Sequence, residues 1–167
     1  MRRSQPIRAA VALFVAIAAM ALNACGANPL QDPTMTLAQA RKQIDSYQAD
    51  ILANLPIKPR SNSGSFSDLE CGANDNGPHG REQTWRSATF EDLPLPGRAQ
   101  AAAAFRTYLT GRGFQLASDS GGDIGWVKLK NPKDGFVAIL DGAGDTSRTF
   151  SLEVISPCVW PNGTPPA

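Results

Sequence analysis

Little in this chain announces chemistry. Among its 167 residues there is one histidine, three cysteines and two tyrosines, and aromatic residues make up only 7%. The 16 basic and 15 acidic side chains nearly cancel, leaving a formal charge of +1. That balance excludes the one-signed field a nucleic-acid backbone selects, and no nucleic-acid partner is expected. No stretch reaches the roughly 20 apolar residues needed to cross about 30 Å of hydrocarbon. No G-x-S-x-G elbow, S-x-x-K, H-E-x-x-H or Walker loop occurs, and no internal repeat. What the chain does have is 15 glycines, 13 prolines and a mean hydropathy of -0.23, a composition for one loop-rich globular domain.

The amino terminus reads as a targeting segment. Arg2, Arg3 and Arg8 precede an uncharged apolar run from 9 to 22, the n-region and h-region of an export signal. Ser4-Gln5-Pro6 does not continue a twin-arginine motif, so the general secretory route is expected. The run ends in Leu22-Asn23-Ala24-Cys25, which resembles the lipobox of bacterial lipoproteins, although Asn23 departs from the usual Ala or Ser. The resemblance implies cleavage after residue 24, a diacylglyceryl group on Cys25 and a further acyl chain on the new amino terminus. Two chains, at about 0.8 kcal/mol per buried methylene, hold a protein on a membrane where one does not. The alternative is an ordinary A-x-A-like cleavage site that leaves Cys25 a free thiol. Without residues 1–24 the chain carries 13 basic and 15 acidic side chains, a mildly acidic surface with no polybasic patch.

Three cysteines is an odd number for an exported protein. If Cys25 is acylated, as the lipobox resemblance implies, Cys71 and Cys158 remain and pair in one way, in a compartment that permits it. A zinc site competes for these thiols, but a closed site takes four ligands and the chain adds only His79.

Along the expected mature chain, 25–35 is a tether with Pro29 and Pro33. Thr36 with Gln39 forms a capping-box pattern, and Leu37, Ala40, Ile44, Tyr47, Ile51 and Leu55 recur at helical spacing, which predicts an amphipathic helix over 36–55. Its apolar stripe requires burial against the later domain. Pro56 stops it, and 56–68 reads as a linker or surface loop. The span 69–161 reads as an α+β domain: strands at 69–71 and 84–90, then a helix opened by Pro96 and Gly97. In that helix Ala102, Phe105 and Leu109 share a face. Short strands follow at 114–117, 124–130, 135–141 and 149–155, joined by Gly, Asn and Asp turns. The expected architecture is a two-layer α+β domain, an antiparallel sheet meander with one central helix plus the N-terminal amphipathic helix. Residues 162–167 read as a Pro-rich tail. This layout, with Cys25, Cys71 and Cys158, resembles the small LppA-like lipoproteins of mycobacteria and related actinobacteria. That implies an envelope location and an α+β domain, and no reaction.

Candidate sites are few. His79, in a turn-rich loop, reads as solvated. Asp75-Asn76-Gly77 and Asp141-Gly142-Ala143-Gly144-Asp145 place oxygen donors near glycines, but neither has EF-hand spacing and both read as turns. Asp119 and Asp123 flank a Gly-rich loop and define no acid/base pair. Trp126, Lys128 and Lys130 alternate with Val127 and Leu129, so one strand face offers an aromatic and two cations; its alternative is burial of the Trp and lysine stems. No cofactor, metal ligand or catalytic residue is expected. The functional expectation is a membrane-anchored envelope module that binds a protein, lipid or glycan, held by lipid on Cys25 at the extracytoplasmic face. The competing expectation is a small envelope hydrolase.

Overall fold

The computed structural model describes residues 31–61, 64–72, 79–90, 93–119, 125–144 and 149–166. The chain divides into two compact units, Met1–Asp32 and Pro33–Ala167. The second unit contains, in chain order, α1 (Leu37–Asn54), β1 (Pro59–Ser61), β2 (Ser67–Glu70), β3 (Glu82–Phe90), α2 (Leu95–Gly111), β4 (Gln115–Asp119), β5 (Val127–Lys130), β6 (Val137–Asp141) and β7 (Ser151–Ile155). The seven strands make one sheet in the order β1-β3-β7-β6-β5-β4, with every neighbouring pair antiparallel. β2 joins the outer edge of β3 beside β1. Strands β4 to β7 form the expected meander, and α2 crosses the sheet from β3 to its far edge at β4.

Helix α1 starts as its sequence dictates. The Thr36 side chain accepts from Gln39 N at 3.1 Å while Thr36 N donates to Gln39 Oε1 at 2.8 Å, so two amides left over at the helix start are satisfied reciprocally. Its stripe, Ala40, Ile44, Ile51 and Leu52, is buried in the same core as Ala101, Phe105 and Leu109 of α2. The sheet supplies Ala88, Phe90, Val127, Leu129, Ala138, Leu140, Leu152 and Val154 to that core. Both helices therefore lie on one face of the sheet, and the fold is two-layered.

Polar clamps fix the layers. Arg86 on β3 donates to Asp45 on α1 at 2.5 Å, and Arg41 on α1 pairs with Asp68 on β2. The Phe66 ring lies 5.6 Å from both guanidinium groups. At the β5–β6 turn, Tyr47 of α1 donates to Asp134 Oδ2 at 2.5 Å and accepts from Asn131 Nδ2 at 2.8 Å. Burial, and then the bond to Asp134, push the Tyr47 hydroxyl up to about 12. Among the described residues the most buried charge is Arg98 of α2, 1% exposed. Its Nε donates to Leu93 O at 2.9 Å and one terminal nitrogen to Gly142 O at 2.7 Å, with its guanidinium 5.3 Å from the Phe150 ring.

Cys71 and Cys158 form a disulfide with Cα atoms 6.2 Å apart. It ties the end of β2 to the segment after β7, where Val159 bridges Glu82. Several boundaries differ from the sequence reading. The stretch 56–68 is not all loop: β1 and the first half of β2 pair with β3 there. Both are short edge strands with mostly exposed residues and no alternation to betray them. The sheet domain does not begin at 69, because α1 belongs to the same compact unit. Nor is 162–167 wholly a free tail, since Gly163 O accepts from Thr34 N at 2.8 Å. β5 starts at Val127, later than expected.

Candidate functional site

A cavity of about 330 Å³ opens between α2 and the β4–β5 end of the sheet. Leu95, Ala99, Ala102 and Arg106 line it from α2, and their spacing of four, three and four residues puts them on one helix face. The space exists because two of these four are alanines. Opposite stand Asp119 at the end of β4, Trp126 and Val127 at the start of β5, and Ala143 and Gly144 beyond β6. Gly125 also lines the cavity. Its φ of +67° favours glycine, and a Cβ there would collide with the backbone of Gly144.

Most of the wall is apolar, and one polar pair interrupts it: Arg106 donates to Asp119, with the side chains 41% and 27% exposed. A guanidinium fork beside a carboxylate presents donors and an acceptor together, with their charges compensated. Apolar walls with a few orienting polar groups are the usual make-up of a small-ligand site, and the volume is at the lower end of such sites.

The structure separates the three residues the sequence grouped together. Lys128 and Lys130 stand on the sheet face turned away from the helices, as alternation with the buried Val127 and Leu129 requires. Trp126 precedes the strand and lines the cavity beside α2. Gly125, at positive φ, and Trp126 both lie ahead of the strand, which begins at Val127, so the period-two argument does not extend to Trp126. His79 is exposed in a turn, its Nδ1 3.9 Å from Glu70 Oε1, with both side chains open to solvent. Asp75, Asn76, Gly77, Asp123 and Asp145 lie outside the described residues, as does Cys25. Asp141 caps a turn, accepting from Gly142 N at 2.8 Å. Among the described residues no group of three or more His, Cys, Asp or Glu is placed to hold a metal ion, and no helix is long and apolar enough to cross a membrane.

The sequence reading missed Arg106 and Arg98. Arg106 sits on the expected helix, but its partner Asp119 is known only once α2 is laid over β4. No family model, no curated protein and no solved structure matches this chain.

Proposed function

We propose that this chain is a lipid-anchored module of the bacterial cell envelope, held by a diacylglyceryl group on Cys25 at the extracytoplasmic face. Its role is to bind, without catalysing a reaction, through the cavity beneath α2. The anchor rests on the basic start, the uncharged run and Leu22-Asn23-Ala24-Cys25. The Cys71 to Cys158 disulfide supports export, because such bonds persist in oxidising compartments. The observation that carries the binding role is the cavity itself: Trp126 and aliphatic walls around the Arg106 and Asp119 pair. This arrangement suits a compact apolar or ring-shaped group bearing one hydrogen-bonding function.

The test is photo-crosslinking in intact envelopes. A photoreactive residue at Leu95, which is 43% exposed at the rim, is expected to capture a discrete adduct that Trp126→Ala abolishes. The same probe at Gln100, exposed on another face of α2, should not capture it. Equal labelling from both positions, or an adduct indifferent to Trp126→Ala, contradicts the proposal.

A further inference from the structure

The sheet face turned away from the helices carries a second surface. Read across the strand register, Trp85, Ile155, Val137 and Lys130 form one row, and Ser87, Glu153, Ile139 and Lys128 the next. Trp85, Ile155, Val137 and Ile139 are each partly exposed. On the same face Leu69, opposite Gln83, is 57% exposed. No described helix covers these side chains.

The position of the first row is informative. The chain enters the compact unit at Pro33, and the next residue, Thr34, is held at that end of the sheet. Its N donates to Gly163 O at 2.8 Å and its Oγ1 accepts from Trp160 N at 2.7 Å, beside the Val159 to Glu82 bridge at the start of β3. Pro33 follows Cys25 by eight residues, a length that reaches at most about 30 Å. The charges are graded in the same sense. The row at the entry end holds Lys130 and no acid, and exposed Lys133 follows in the adjoining turn, where Asp134 is engaged by Tyr47. The acids Glu153 and Asp141 stand in the rows beyond.

We propose that this face docks on the surface of an anionic phospholipid bilayer. Trp85, Val137 and Ile155 seat among the headgroups, and Lys130 and Lys128 meet lipid phosphates. A tryptophan with aliphatic neighbours and snorkelling lysines is the composition that partitions to a membrane interface. The inference rests on the anchor at Cys25, which brings the face within reach of the bilayer.

The experiment supplies the anchor chemically. In the chain from Cys25 onward, the disulfide leaves Cys25 as the free thiol, and a maleimide phospholipid couples it to vesicles of phosphatidylcholine with phosphatidylglycerol. Acyl chains brominated near the headgroup should quench tryptophan fluorescence, and Trp85→Phe should remove most of that quenching. Lys130→Gln should weaken docking about fivefold, the effect of one lysine at an anionic surface. Omitting phosphatidylglycerol should weaken it further. Quenching that survives Trp85→Phe, or is indifferent to phosphatidylglycerol, overturns the proposal, as does a face-to-face dimer that buries Trp85. None of these outcomes bears on lipidation of Cys25 in cells, which the mass of the amino-terminal peptide decides separately.

Discussion

Arg98 offers the sharpest test of the packing, because a buried charge usually destabilises and this one is placed to hold the domain together. Its guanidinium binds the carbonyls of Leu93, before α2, and Gly142, after β6. It thereby joins the start of the crossover helix to the residue that follows β6. Arg98→Met keeps most of the stem and removes the charge. The loss leaves the buried Gly142 carbonyl without this donor, at about 1–3 kcal/mol, and the half-buried Leu93 carbonyl without its own, at a smaller cost. Relief of the guanidinium's own desolvation offsets part of that. The net expectation is a loss of about 2–3 kcal/mol, roughly 10 °C in Tm for a domain of this size. Arg98→Ala adds a cavity beside Phe150 and should cost about 3–5 kcal/mol. Urea unfolding with the disulfide intact measures both, and an unchanged m-value would confirm that the folded state is the one altered. If Arg98→Met were neutral or stabilising, the two bonds would not offset the burial of the charge, and Arg98 would not be the clamp its geometry suggests.

Gln48 should respond in the opposite sense: its Nε2 is buried without a hydrogen-bond partner in a residue only 1% exposed, so Gln48→Met is expected to raise stability by about 1 kcal/mol, read as a higher urea midpoint. The disulfide closes a loop with a sequence separation of 87, and chain entropy puts its contribution at about 4–5 kcal/mol; Cys71→Ser with Cys158→Ser should lower the melting temperature accordingly, and thiol labelling of the unreduced, denatured mature protein should find neither cysteine. Tyr47 ionises near 10 when unfolded and at about 12 when folded, so its contribution is complete below pH 10 and is lost as pH rises towards 12; the difference in unfolding free energy between wild type and Tyr47→Phe, measured from pH 9 to 12, should shrink along that range. Gly142 has φ of +80°, and a Cβ there would lie 2.6 Å from Thr149 O; Gly142→Ala should cost about 1–3 kcal/mol or more, checked by the same unfolding assay.

Local signals carried much of this fold. The capping box at Thr36 and Gln39 and the stripe from Ala40 to Leu52 sufficed for α1, because both lie within a few turns of one helix. The strand expected at 149–155 is β7, and Phe150, Leu152 and Val154 alternate with less buried neighbours and are themselves buried. β1 and the first half of β2 were illegible for a physical reason: edge strands facing water need no apolar period, and Ser67 to Glu70 is exposed throughout. Arg98 was equally hidden, since an arginine in a helix reads as solvated until Leu93 O and Gly142 O are known to converge on it. The cavity depends on α2 lying over β4 and β5, a long-range fact that spacing alone does not encode. Lys128 and Lys130 fell on the face alternation assigned, whereas Trp126 lies outside that alternation because β5 begins only at Val127.

We propose export, anchoring through Cys25 and closure by the Cys71 to Cys158 disulfide as a single assignment. The full-length chain produced in an actinobacterial host and purified from its membranes, without reduction, tests it by mass spectrometry. The expected result is an amino-terminal peptide that begins at Cys25 and carries a diacylglyceryl group, together with a Cys71 to Cys158 crosslinked peptide. An unmodified amino terminus beginning elsewhere, or free thiols at Cys71 and Cys158, would contradict it.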